Sequence, residues 1–241
     1  MRTRSVPAPL PPAERTVGQL VAESIRAYGD NFWRALPLGI PLALSTQLSL
    51  GHTSNVQTLV LLAFSPLIAL AYVGAVRLVH GVPPTPGAWL IGVLVFAPVP
   101  FLARVLVLPA VAWLALFGQA VPAAMIERLG FRSALERGRK LALADYVHAL
   151  GSLSALVVVV GIAELTLIAL LRSQGDNGQR VAHALADVVL SPLLYLGGAL
   201  LYLDQAARVG SRRPKPRSRD ADLHPPDDAD AAGHPDPQVE P

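Results

Sequence analysis

Residues 88–126 read AWLIGVLVFAPVPFLARVLVLPAVAWLALFGQAVPAAMI, 39 residues with one charge, Arg104. As a single helix this stretch would be about 58 Å long, roughly twice the hydrocarbon core of a bilayer. It therefore has to fold back once, and Arg104 marks the turn. Pro98, Pro100 and Pro109 crowd that turn, so a bent or broken helix is expected there. Two adjacent apolar helices joined at a charge place the chain in a membrane.

Further apolar windows extend on either side, at 32–50 and 56–80 before this stretch and at 146–171 and 181–203 after it. Hydrophobic residues make up 52% of the chain and charged residues 15%. A soluble domain covers its surface with about a quarter charged residues. The expected fold is all-α, a polytopic membrane helix bundle with six transmembrane helices and two interfacial amphipathic helices. Residues 1–15 are read as a disordered cytoplasmic N-terminus, 16–209 as the six-span membrane domain, and 210–241 as a disordered, Pro-rich cytoplasmic tail. The N-terminal basic residues precede no apolar h-region, so a cleaved signal peptide is not expected. Eighteen Arg stand against two Lys in an Ala- and Pro-rich chain, a composition that points to a GC-rich bacterial genome.

Charge sets the orientation. Lys and Arg number 17 in the N-terminal segment, the second and fourth connections and the tail, against three (Arg104, Arg172, Arg180) in the others. By the positive-inside rule both termini are cytoplasmic, and the membrane is the bacterial cytoplasmic (inner) membrane. The same distribution accounts for the pI of about 9.6: the basic residues flank apolar segments, and nucleic acid is not an expected partner.

Two segments are read as lying along the surface. Thr16-Val-Gly-Gln19 is a capping box followed by Val17, Leu20, Val21, Ser24, Ile25 and Tyr28 at helical spacing. Ser133-Ala-Leu-Glu136 reads as a second box, opening a segment with Arg137, Arg139 and Lys140. Short, amphipathic and basic, both suit an anionic leaflet, so membrane lipids are the expected partners. The chain also repeats a pattern. Each of these helices leads to an Asp (Asp30, Asp145) placed to cap the next helix, and two spans follow, the second carrying Ser65-Pro66-Leu67 or Ser191-Pro192-Leu193. Such units would be related about an axis along the membrane normal. Small residues four apart (Ala71/Ala75, Ala182/Ala186) permit close helix packing, which leaves a homo- or hetero-oligomer open.

Motifs that would announce an enzyme are missing: no phosphate-binding Gly-rich loop, no Gly-x-Ser-x-Gly elbow, no His-Glu-x-x-His pair. With no cysteine and scattered histidines, neither a metal nor another cofactor is expected. Polar groups at membrane depth are the remaining candidates, because an ionisable side chain there costs about 2.5–3.5 kcal/mol unless paired or wet. Arg104, Glu164, His183 and Asp187 fall at similar depth in the outer half of the bilayer and form the candidate polar cluster. Interhelical ion pairing or snorkelling is the plainer reading of the same residues. Gln119 is an isolated amide, read as a contact between helices.

The run Val121-Pro-Ala-Ala-Met-Ile-Glu127, then Phe131-Arg-Ser-Ala-Leu-Glu-Arg-Gly138 with Leu141, resembles bacterial proteins of the glycerophosphoryl diester phosphodiesterase membrane-domain type. Val17-Gly-Gln-Leu-Val21, Tyr28, Phe32-Trp33 and the closing Leu200-Leu-Tyr-Leu-Asp204 are also similar to that family. Pro122, Glu127, Ser133, Leu141 and Asp204 are the family-like positions. Asp204 opens Asp-Gln-Ala-Ala-Arg here, where the family tends to read Asp-Leu-Arg. The resemblance implies a six-span membrane module that accompanies a phosphodiesterase domain in some relatives and stands alone in others. The His-Arg-Gly and acidic metal ligands of that catalytic half are not in this chain, so the activity does not carry over.

The expected function is that of a non-catalytic integral membrane protein, a lipid-interacting or assembly module. The alternative is a small-solute or lipid transporter using the outer polar cluster. The topology is directly checkable. A reporter fused after Gly210 should behave as cytoplasmic and one inserted at Asp176 as external; a periplasmic-type signal at Gly210 would overturn the span count.

Overall fold

A computed structural model describes residues 11–171 and 175–212, and among these every regular element is helical. A 3-10 turn, Pro12–Glu14, leads into α1 (Val17–Asp30). There follow α2 (Phe32–Ala35), a 3-10 turn Leu36–Gly39, α3 (Ile40–Ser49) and α4 (Ser54–His80). The central hairpin comprises α5 (Pro86–Phe96), α6 (Val99–Val105), α7 (Val107–Phe117) and α8 (Ala120–Ile126). The chain closes with α9 (Phe131–Ala144), α10 (Tyr146–Leu171) and α11 (Gly175–Arg212).

Among the described residues, five helical stretches are long and apolar enough to cross a membrane: Ser54–His80, Pro86–Val105, Val107–Ile126, Tyr146–Leu171 and Asn177–Gly210. The expected sixth, at 32–50, is not a continuous helix. Pro37 and Pro41 remove backbone donors and tighten residues 36–39 into a 3-10 turn between α2 and α3. The broken segment still joins the two ends of the bundle. Arg34 lies beside Arg77 and Gly81 at one end, and Gln47 Nε2 donates to the Arg180 carbonyl at the other, 2.9 Å. The bend expected in the central stretch is present: the helix breaks between α5 and α6 at Pro98, and the reversal comes at Leu106, the one extended residue between α6 and α7.

Both amphipathic helices form, for different local reasons. The Thr16 box closes: the Gln19 N–H donates to Thr16 Oγ1 at 3.4 Å and the Thr16 N–H donates to Gln19 Oε1 at 2.9 Å. The Ser133 box does not. α9 begins three residues earlier than that box requires, at Phe131 with Gly130 in the cap position, leaving Ser133 inside the first turn and exposed. Asp145 accepts from the His148 N–H at 3.4 Å as expected. Asp30 instead ends α1, and Asn31 takes the junction, donating to the Ala27 carbonyl. Order also begins before Thr16, because Arg15 and the turn ahead of it pack on α11. Of the tail assigned to 210–241, α11 takes residues 210–212; the remainder, with residues 1–10, lies outside the described residues.

α11 is the shared spine. α10 lays Ala149, Ser152, Leu156 and Val160, a stripe at helical spacing, against it. On its other side lie α3 and α4, and α1 crosses at Gly197, whose missing side chain admits Leu156 and Ser24. The repeat receives no support from this packing. α11 contacts both α3 and α10, whereas α4 packs on α3 without a matching contact to α10. Among the described residues two large clusters and one small one, around Leu141, make the core. One large cluster joins Tyr72, Val76, Ile91, Val121, Met125 and Leu196; the other joins Leu20, Leu156, Leu193 and Leu201. Around them stands a belt of exposed apolar side chains, among them Leu59, Leu90, Leu108, Ile162, Leu165 and Leu170, which in water would be a severe liability and in lipid is the required surface.

Close backbone approach fixes where α11 meets the broken segment. Pro192 has no N–H to give the Val188 carbonyl one turn earlier. That carbonyl faces Gly39, where a Cβ would stand 2.5 Å from Val188 O and 2.7 Å from Val188 Cα. Backbone cannot retreat as a flexible side chain can. Gly39→Ala should therefore destabilise the protein by about 1–3 kcal/mol in detergent unfolding. Gly74→Ala, which meets only the end of Leu38, should cost less, and equal losses would contradict the packing.

Candidate functional site

The most connected polar set lies at the basic end of the bundle, around the last three turns of α11. The Asp204 side chain is fully buried, and Arg15 Nη1 donates to it at 3.2 Å. Arg208, one turn on, donates to Asp145 Oδ2 at 2.9 Å and to the Arg15 carbonyl at 2.6 Å, with the His148 ring nitrogens 3.3–3.4 Å away. Gln205 Nε2 donates to the Asp145 carbonyl at 3.3 Å. A second knot adjoins it. Glu127 accepts from Arg137 Nε at 2.8 and 3.0 Å and from the Tyr202 hydroxyl at 2.6 Å. His80 Nε2 lies 3.0 Å from the Ala199 carbonyl, and its ring meets Tyr202 edge-on at 6.1 Å. These bonds fasten the approach to α1, the α8–α9 corner, the end of α4 and the start of α10 to one helix.

Four of the five family-like positions belong to this end. Glu127 and Asp204 are the acceptors just described. Leu141 is fully buried in a small cluster with Ala123 and Tyr202, and Pro122 is buried in α8. Ser133 stands apart and exposed. The sequence reading missed Arg15, His148, Tyr202, Gln205 and Arg208. Its only signal was that Tyr202, Asp204, Gln205 and Arg208 interrupt an apolar helix within two turns. The network is not fully satisfied: Asp204 Oδ2, Arg15 Nε and Gln205 Oε1 are buried without a hydrogen-bond partner among the described residues. Such atoms mark places for water or a polar ligand.

At the opposite end, the structure brings together part of the expected cluster. His183 Nδ1 and Glu164 Oε1 are 3.3 Å apart between α11 and α10. Asp187, one turn further along α11, is buried, bonds the Thr46 side chain of α3 and lies within electrostatic reach of both. Its Oδ2 has no hydrogen-bond partner among the described residues. Arg104 is not part of this group. Its Nη1 donates to Asn55 Oδ1 at the start of α4. The four candidate residues are thus an acid–histidine pair, a neighbouring acid and an arginine bonded elsewhere.

Gln119 is buried, and its Oε1 has no partner among the described residues, so no hydrogen bond supports the expected interhelical role of that oxygen. It borders an apolar cavity of about 110 Å³ with Tyr72, Leu114, Tyr195 and Gly198. A larger, open groove of about 710 Å³ runs between α2 and α4 at the basic end, lined by Asn31, Arg34, Leu38, Arg77 and Leu78. Comparisons of the chain with protein-family models, curated proteins and solved structures return no match.

Proposed function

We propose that this multi-pass membrane protein is a non-catalytic, lipid-interacting or assembly module of the bacterial cytoplasmic membrane, with both termini cytoplasmic. The observation that carries the reading is the outer face of α9. That helix buries Ala134, Gly138, Leu141 and Ala142 against the bundle and exposes Arg132, Arg139 and Lys140 beside Phe131 and Leu143. Three cations and one acid, Glu136, share that exposed surface with Leu143, and Phe131 is exposed at its start; such a mixture of net positive charge and large apolar side chains matches the boundary between headgroups and acyl chains. The Glu127–Arg137 pair and the fit of Gly138 on Ala120 hold α9 in that position. The 17-to-3 division of Lys and Arg supports the same side for it. The likeness of 16–209 to the phosphodiesterase-associated membrane modules fits a protein whose work is done by its membrane surface. Transport is a second reading, favoured by the buried, half-satisfied Asp187 beside Glu164 and His183.

Each basic residue near an anionic leaflet contributes about 1 kcal/mol of attraction. Lipids retained through mild purification, identified by mass spectrometry, should be enriched in anionic species. Replacing Arg132, Arg139 and Lys140 with Gln should reduce that enrichment. Lipid retention in membrane proportions, unchanged in the triple variant, would contradict the reading. Melting that shifts with a soluble metabolite and no lipid would favour transport.

A further inference from the structure

We propose that the groove between α2 and α4 binds the phosphate of an anionic phospholipid headgroup, held by Arg34 and Arg77. This inference rests on the lipid-interacting reading above and gives it a site. The two arginines come from different elements, one from the four-residue helix before Pro37 and one from the last turn of α4, yet line the same groove. Neither side chain takes part in an ion pair or hydrogen bond among the described residues, although Arg15, Arg26, Arg137 and Arg208 all do. Both are exposed residues lining one groove, so their guanidiniums are free to take an anion there. Their planar forks suit phosphate oxygens, which accept two parallel N–H bonds from each.

The surroundings point to a lipid. Leu38 and Leu78 supply apolar wall beside the charges, a combination that fits the junction of a headgroup with its first methylenes. Trp33, adjacent to Arg34, is 79% exposed and meets only Phe32 edge-on among the aromatic rings of the described residues, and an exposed indole at the end of an apolar span belongs at headgroup level. Arg77 sits where the 27-residue apolar helix α4 ends. At 710 Å³ and open to one side, the space admits a phosphoglycerol group and leaves the chains in the bilayer. Basic pockets between spanning helices on the cytoplasmic side are a recurrent answer to anionic lipid.

The test uses the full chain in nanodiscs of phosphatidylcholine alone and of an equal mixture with phosphatidylglycerol, with thermal melting and short-chain phosphatidylglycerol titration as readouts. Wild-type protein should melt higher in the mixture. Arg34→Gln and Arg77→Gln should each weaken phosphatidylglycerol binding about tenfold, the loss of one charge-assisted contact. Arg34→Lys should retain part of the affinity, and all variants should melt like wild type in phosphatidylcholine. An anionic-lipid response that survives both Gln substitutions but falls in Arg139→Gln/Lys140→Gln overturns the groove and leaves the general lipid reading standing. No response in wild-type protein overturns both. A response to soluble inorganic phosphate or glycerol phosphate equal to that of the lipid assigns the groove to a free anion and overturns the lipid.

Discussion

Asp204 is a carboxylate with no exposed side-chain surface, and most of the basic end of this bundle is arranged around it. A buried charge is tolerable only with a partner, and here the partner arrives from 189 residues away, Arg15 ahead of α1. Once Arg15 is fixed, its carbonyl becomes the acceptor for Arg208, and Arg208 reaches across to Asp145 at the head of α10. One ion pair thus leads to a second, and the two together set where α1 and α10 begin relative to α11. Tyr202 and Glu127 do the same for α9 from the other side of the same helix. In lipid, where apolar contact alone gives little preference between helices, such polar contacts and close backbone approaches decide the pairing.

The same helix carries the second constraint. Pro192 leaves the Val188 carbonyl without its helical donor, and Gly39 brings the broken α2–α3 segment onto that spot. Two breaks in regular structure are placed against each other. Ser191 adds a bond to the Asp187 carbonyl one turn below, and the Asp187 side chain turns to Thr46 of α3. One helix, α11, therefore carries both constraints, Asp187 and Pro192 toward the acidic end and Asp204 at the basic end. Anionic lipid at α9 and in the Arg34–Arg77 groove would bear on elements already fastened to this helix.

Hydropathy made the class legible, because span length and charge density depend on local sequence alone. It also located the reversal near Arg104, within two residues of the extended Leu106. Where it failed, the missing information was geometric. The 32–50 window is apolar on average, but hydropathy does not register that Pro37 and Pro41 interrupt the ladder. Ser133-x-x-Glu136 satisfies a capping pattern, yet the Glu127–Arg137 pair and the left-handed Arg128 (φ 51°) fix the corner so that the helix starts earlier. Arg104 donates to Asn55, while Glu164 meets His183; depth can be estimated by counting residues, but side-chain partners depend on contacts made elsewhere in the chain. Arg15 was assigned to a tail for the same reason, since nothing near it in sequence discloses an acid in the last helix.

The most direct measurement of this account is a double-mutant cycle on Arg15 and Asp204, read by equilibrium unfolding in detergent. Arg15→Ala should destabilise by about 3–5 kcal/mol, because it strands a buried carboxylate. In an Asp204→Asn background the same change should cost far less, giving a coupling above about 1 kcal/mol. Losses that add to within about 0.5 kcal/mol would mean that the two residues do not support each other, and would contradict the central place given to Asp204.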